Sequence, residues 1–352
     1  MKSLIITDLH LTDNPREDYR WDVFTFVEEY LDENYCENLL ILGDIFDKKD
    51  KHSSEIVNRL VNELLELQHK FAFENIYILK GNHDYVVDES KPFLKFLGHF
   101  ENIHWINEPS EVKFNNNLGN WYFLPHSRTP EADWEKLLPK INNPDLDFLF
   151  MHQSVIGSKV SNYHEMKEGL DPKFLKDVSA TIVSGDIHVP QKLGKVIYLG
   201  TQHPVSFGDD YDPRMGVIED NKLSFILINT IKRPHIKKEV NSFDDLKKDL
   251  QELTSNDQVR ITLILEKNQL HEWAELRKQI QDYCKEALID LHDLKLEVKQ
   301  MDSEVNQDLK NYIKTNSNSM TSADILRKFA QAEGIDDDLF SIGSKLMTEE
   351  IR

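Results

Sequence analysis

Thr181-Ile182-Val183-Ser184-Gly185-Asp186-Ile187-His188 decides how this chain is read: a short apolar run stops at a glycine, a carboxylate and an imidazole. The same design recurs upstream. Leu4-Ile5-Ile6 leads into Thr7-Asp8-Leu9-His10, and Leu39-Leu40-Ile41-Leu42 into Gly43-Asp44-Ile45-Phe46-Asp47. Ile76-Tyr77-Ile78-Leu79 leads into Lys80-Gly81-Asn82-His83-Asp84, and Phe148-Leu149-Phe150 into Met151-His152. An apolar run of this length ended by Gly or Asp reads as a buried strand, and α/β sheets collect reactive groups beyond the carboxyl ends of their strands. The pattern therefore predicts an α/β fold whose strands deliver Asp, His and Asn side chains to one rim, as a metal cage requires.

The 352 residues suffice for two or three units. With 30% charged and 39% hydrophobic residues the composition is that of a globular protein. Cys36 and Cys284 stand far apart, in no metal-type spacing, which fits a reducing compartment and a cytoplasmic location. No apolar run approaches the ~20 residues of a membrane span, and the apolar start is cut short by Asp8. A formal charge of −20 argues against a protein that coats DNA unaided, because that affinity comes from Lys and Arg displacing counterions. It leaves room for a DNA enzyme whose metal site or partner supplies positive charge. The compact basic run Lys232-Arg233-Pro234-His235-Ile236-Lys237-Lys238 reads as a linker first and a DNA-contacting strip second.

Phe24, Val27 and Leu31 predict an amphipathic helix over 19–34, and Ile56, Leu60, Leu64 and Leu67 a second one capped by Ser53 or Ser54. Alternation of strands and helices implies parallel pairing. Asn115-Asn116-Asn117 within 112–124 predicts a hairpin added antiparallel to the sheet, and 131–141 reads as helical. Short strands at 196–199, 216–218 and 225–228 suggest a second β layer, hence a β-sandwich flanked by helices. From 233 the pattern becomes helix (243–253), strand (259–265), helix (270–288), strand (294–298), a small α/β unit. The remainder is a charged helical tail with apolar stripes at Ile325, Phe329 and Ala332 and at Leu339, Ile342 and Leu346, either docked or awaiting a partner. The expected division is 1–232, 233–302 and 303–352. There is no internal repeat.

Asp8 and His10, at i and i+2 past a strand, are expected to point the same way and chelate one ion. Asp44 offers a carboxylate able to bridge two ions, Asn82 a neutral oxygen, and His152 and His188 imidazoles. Together with Asp186 these are too many ligands for one ion. The mixed set without thiolate suits Mn²⁺ first, then Mg²⁺, Fe²⁺ or Zn²⁺, and two such ions could clamp a phosphate for in-line displacement. His83 follows Asn82 directly and is the candidate catalytic acid, with Asp84 expected to orient its ring. Asp47 stands open between a supporting role behind the ligands and plain capping. Each motif alone is weak, since a His after a strand is more often a surface or hydrogen-bonded residue, but their order is hard to produce by chance. His126, His164 and His203 lack the pattern and are expected not to be ligands.

These motifs resemble those of the calcineurin-like metallophosphoesterases, whose order Asp-x-His, Gly-Asp-x-x-Asp, Gly-Asn-His-Asp, His, Gly-His-x-His is followed over residues 8–188. Within that group the chain looks like the SbcD-type double-strand-break-repair nucleases, phage members especially. Tyr198-Leu199-Gly200-Thr201 and Asp212-Pro213-Arg214-Met215-Gly216 support this. The resemblance implies one metal on Asp8, His10, Asp44 and His188, a second on Asp44, Asn82, His152 and Asp186, and His83 as the catalytic residue. It also implies a capping domain at 233–302 and a coiled-coil ABC-type ATPase partner gripped by the tail, and it leaves a homodimer open. One departure is Asp186, where the family carries His. The expected activity is Mn²⁺-dependent exonuclease and endonuclease cleavage of DNA in recombination, repair or phage DNA metabolism. The alternatives are a small-molecule phosphodiesterase or phosphatase, and a catalytically weakened assembly subunit. A protein phosphatase fits less well, because Lys48-Lys49 stands where such enzymes carry Arg-Gly.

Overall fold

In the computed structural model, which describes residues 1–87, 91–114, 119–161 and 164–299, the apolar runs are strands. Strand β1 (Lys2–Ile6) is followed by a 3-10 segment at Pro15–Trp21 and helix α1 (Asp22–Glu33), and β2 (Asn38–Ile41) by α2 (Ser54–Phe71). Then come β3 (Asn75–Leu79), β4 (Ile103–Ile106), the hairpin strands β5 (Ser110–Lys113) and β6 (Asn120–Leu124), and short helices α3 (Pro130–Trp134) and α4 (Leu138–Ile141). Strands β7 (Phe148–His152), β8 (Lys159–Ser161), β9 (His164–Glu165), β10 (Thr181–Gly185), β11 (Gln191–Leu193), β12 (Val196–Tyr198), β13 (Arg214–Glu219) and β14 (Lys222–Leu227) follow. The chain continues as β15 (His235–Glu239), α5 (Phe243–Leu250), β16 (Gln258–Leu265), α6 (Trp273–Glu286) and β17 (Asp290–Val298).

Two six-stranded sheets, in the orders β14-β13-β1-β2-β3-β4 and β11-β12-β10-β7-β6-β5, form a sandwich. Strands β1 to β4 are parallel, as are β6, β7, β10 and β12. Each central strand is apolar on both faces, and the pleat sorts its residues into different cores. Ile5, Leu40, Leu42, Tyr77 and Leu79 meet Trp121, Phe123, Phe148, Phe150 and Val183 between the sheets. Their neighbours Leu4, Ile6, Leu39, Ile41, Ile76 and Ile78 face outward onto Val23, Phe24, Val27 and Leu31 of α1 and Ile56, Leu60, Leu64 and Leu67 of α2. Tyr122, Leu124, Leu149, Met151 and Ile182 line the other outer core. Ser53 caps α2 as expected, its hydroxyl accepting from the Ile56 N–H at 3.3 Å.

Several expectations need correction. The hairpin is antiparallel, but it lies in the second sheet; residues 115–118, where its turn was placed, lie outside the described residues. β13 and β14, expected in the second layer, extend the first sheet, β13 pairing antiparallel with β1. The 131–141 helix is two short pieces joined by a 3-10 turn, since Pro139 has no N–H to continue the ladder. The first helix starts at Asp22, behind a 3-10 segment, and the last at Trp273. The basic run is linker only in part: 232–234 lies between β14 and β15 with Arg233 buried, and 235–239 is strand β15. The expected tail, 303–352, lies outside the described residues.

β15, β16 and β17 form a third, wholly parallel sheet. Alternate β16 residues Val259, Ile261, Leu263 and Leu265 pack with Leu246 and Leu250 of α5 and Leu276, Ile280 and Cys284 of α6, a core separate from those of the sandwich. Phe150, fully buried between the two large sheets, tests the sandwich core. Phe150→Ala should cost about 3–5 kcal/mol in urea unfolding; a loss below 1 kcal/mol would mean the sheets do not pack there.

Candidate metal centre

The predicted site residues lie at or just past the carboxyl ends of five parallel strands, drawn from both large sheets. Asp8 and His10 follow β1, Asp44 follows β2, and Asn82, His83 and Asp84 follow β3; His152 ends β7, and Asp186 and His188 follow β10. The loops are laced together by backbone bonds, Asp8 N–H to the Gly43 carbonyl at 3.1 Å and His10 N–H to the Asp44 carbonyl at 3.0 Å. Asp8 and His10 do converge, but not through strand pleating. They adopt left-handed φ values of 51° and 43°, as do Asp44 at 53° and Asp186 at 79°. Non-glycine residues rarely take this conformation, and such strain collects at functional sites.

Asp44 is the centre. Its Oδ2 lies 3.6 Å from His10 Nε2, and its Oδ1 lies 3.3 Å from His152 Nε2. Oδ1 also accepts from the His83 N–H at 2.8 Å. His152 Nε2 is 3.9 Å from both Asp8 Oδ1 and Asp186 Oδ1, and His10 and His188 bring their Nε2 atoms to 3.0 Å. Gly81 and Gly43 are required by this packing, because a Cβ at either would overlap the Asp44 carboxylate or the His152 ring.

His152 Nδ1 lies 2.6 Å from the Leu42 carbonyl and must donate to it. In the neutral ring the Nε2 lone pair then faces three carboxylates, an arrangement stable only with a cation between them. Burial alone would lower the His152 pKa, but Asp44, Asp8 and Asp186 hold it well above the usual imidazole range. Burial would raise the Asp44 carboxyl, yet His152, His10 and His83 hold it below the ordinary carboxylate range. Burial raises Asp8 and Asp186 and lowers His10. His152 Nε2, His10 Nδ1 and Asn82 Oδ1 are buried without a hydrogen-bond partner among the described residues. The carboxylates of Asp8 and Asp44 and the imidazoles of His10, His83, His152 and His188 fall into three groups whose donor atoms lie within 4.8 Å of one another, a set that fits divalent metal ions.

Asp84 acts differently from expectation, while Asp47 stands behind the cluster. The Asp84 carboxylate does not orient the His83 ring. It is fully buried and accepts from the N–H groups of Gly81 at 2.6 Å, Asp44 at 3.1 Å and Ile45 at 3.1 Å, tying the β2 and β3 loops together. Burial, then the nearby Asp44 carboxylate, push its pKa up to about 6. The His83 ring is held by the Asp47 carbonyl, 2.6 Å from Nδ1. Asp47 Oδ1 in turn lies 3.8 Å from His10 Nδ1 and 3.0 Å from Arg20 Nη1.

Arg20, whose Nη1 also donates to the His10 carbonyl at 2.7 Å, carries no motif in the sequence. Nor does Gln202, which accepts the Thr7 N–H at 3.0 Å and directly follows the Gly200-Thr201 pair. His164 is exposed on β9, and His126 Nδ1 bonds the Tyr85 hydroxyl at 2.9 Å. His203 is buried against Tyr19, and none of these three joins the cluster.

The chain belongs to the calcineurin-like phosphoesterase family, whose model matches residues 1–190. Members use a pair of metal ions to hydrolyse phosphoesters. Exonuclease subunit 1 of Enterobacteria phage T4 is 28% identical over 246 residues, covering 65% of this chain and 68% of that protein. Among solved structures, a dimetal phosphatase from Danio rerio aligns with TM-score 0.36 and 11% identity over 65% of this chain and 99% of that one. The Pseudomonas putida nuclease MPE aligns with TM-score 0.28 and 15% identity over 64% and 87%. At such overlap a phosphatase and a nuclease decide nothing between substrates. Among the described residues no helix is long and apolar enough to cross a membrane.

Asp84→Ala would orphan three buried N–H groups and should cost about 3 kcal/mol in urea unfolding, with Asp84→Asn losing less. An unchanged midpoint for Asp84→Ala would show that the clamp contributes nothing.

Proposed function

We propose that the cluster holds two divalent ions, Mn²⁺ by preference, and that the chain is the nuclease subunit of a complex that hydrolyses DNA phosphodiesters. The observation that carries this reading is Asp44, whose two carboxylate oxygens face the imidazoles of His10 and His152 separately. One ion would be held by Asp8, His10, Asp44 and His188, the other by Asp44, Asn82, His152 and Asp186. When bound, the ions supply Lewis-acid polarisation of the phosphate and of the attacking water. The carboxylate and amide oxygens in this set favour Mn²⁺ over softer ions.

His83 supplies proton transfer. A carbonyl only accepts, so His83 Nδ1 donates its N–H to the Asp47 oxygen; when the ring takes up a second proton from solvent, that proton sits on Nε2, which passes it to the leaving oxygen and returns to the neutral form. The exonuclease name of the phage relative favours DNA, and its name as a subunit favours a partner, which we assign as a coiled-coil ABC-type ATPase. In this reading residues 233–302 are the capping domain and residues 303–352 bind the ATPase. A small phosphodiester substrate is the second reading, favoured by the charge of −20.

His83→Ala should keep two Mn²⁺ per chain while losing DNA cleavage on the order of 10²–10⁴-fold. Running bis(p-nitrophenyl) phosphate beside single- and double-stranded DNA separates the readings. Wild-type protein that cleaves the nitrophenyl ester but leaves both DNAs intact, with and without an ATPase, would select the small substrate.

A further inference from the structure

Arg233, from the basic run, is put to a structural use that reaches the metal centre. Its side chain is 2% exposed, and its Nη2 lies 3.5 Å from Glu17 Oε1. Nη1 donates to the Tyr19 hydroxyl at 2.9 Å and to the Val205 carbonyl at 3.0 Å. The guanidinium lies 4.1 Å from the centroid of the Phe207 ring. Arg260 of β16 lies 4.5 Å from the same centroid, and the His292 ring of β17 packs on Phe207 at 4.7 Å. Arg233 is thereby joined to the third sheet through one ring.

On the opposite side, Glu17 is shared. Its Oε2 lies 3.2 Å from Arg20 Nη2, and Arg20 is itself buried. Arg20 bonds the His10 carbonyl and the Asp47 carboxylate, and the Asp47 carbonyl holds the His83 ring. Two buried guanidiniums thus share one carboxylate, and removing Arg233 leaves Glu17 to Arg20 alone, with Oε1 and the Tyr19 hydroxyl free to shift and Arg20 free to follow. We propose that Arg233 is a positioning residue for the metal centre, acting through Glu17 and Arg20, so that the seating of the third sheet on the sandwich sets where His10 and His83 stand. Its effect on catalysis rests on the phosphodiesterase reading above; the mechanical link does not.

The test uses the full chain as wild type, Arg233→Ala, Arg233→Lys and Phe207→Leu. The last two change no residue of the cluster itself and guard against a misfolded alanine variant. Amide hydrogen exchange over residues 8–12 and 44–48 is read together with kcat and KM for bis(p-nitrophenyl) phosphate in Mn²⁺. Arg233→Ala and Phe207→Leu should speed exchange in both segments and lower kcat on the order of tenfold at unchanged KM, with partial recovery in Arg233→Lys. Unchanged exchange in all variants would overturn the link. Faster exchange in a wild-type background that never hydrolyses the diester would uphold the link and overturn the phosphodiesterase reading.

Discussion

Asp8, Asp44 and Asp186 crowd their carboxylates around His152 Nε2 in a site where Asp8 and Asp44 are all but fully buried, and the surrounding structure answers that charge. Buried carboxylates without partners are too costly to keep ionised. Imidazoles meet part of the charge: His152 is driven toward its cationic form by the acids around it, and Asp44 is held ionised by three histidines. The Leu42 carbonyl fixes which nitrogen of His152 faces the acids. What remains is a demand for cations at a point where two sheets present their strand ends together. The sandwich meets that demand because parallel strands from both layers run out at one rim.

Strained backbone is the cost of bringing these groups so close. Four of the converging residues take left-handed φ values, each worth on the order of 1–3 kcal/mol. Compensation comes from the hydrogen bonds that cross between loops. Asp84 gathers N–H groups from two of them, Asp186 N–H donates to Asp8 Oδ1 at 2.9 Å, and Gln202 accepts from Thr7. Glycine at 43 and 81 then lets the His152 ring and the Asp44 carboxylate sit where a side chain would otherwise stand.

How much of this could be read beforehand depends on range. Strands with apolar residues on both faces announce themselves locally, so β1, β2, β3, β7 and β10 and the residues that follow them were legible. Which sheet a strand joins is a long-range matter: alternation at 216–218 marks β13 as a strand but says nothing of its pairing with Ser3 and Leu4. Asp84 was misassigned for the opposite reason. Its adjacency to His83 suggested a ring partner, while the tight turn folds its carboxylate back onto the Gly81 N–H, three residues earlier. Arg20 carried no signal because 19–34 looked like the polar and apolar faces of one helix, whereas the 3-10 segment turns Arg20 inward under His10.

The distribution of positive charge also bears on what can approach the rim. Against a net charge of −20, cations near the third sheet are largely spent internally. Arg20 and Arg233 are buried, Lys237 pairs with Glu297 at 2.8 Å, and Lys238 pairs with Asp249 at 2.5 Å. Within the basic run, Arg233 is thus withdrawn from a polyanion, while Lys237 and Lys238 remain at the surface beside acidic partners. Ions at the Asp44 cluster or a second chain would add to the field that attracts a nucleic acid. A small phosphoester needs only to reach the rim.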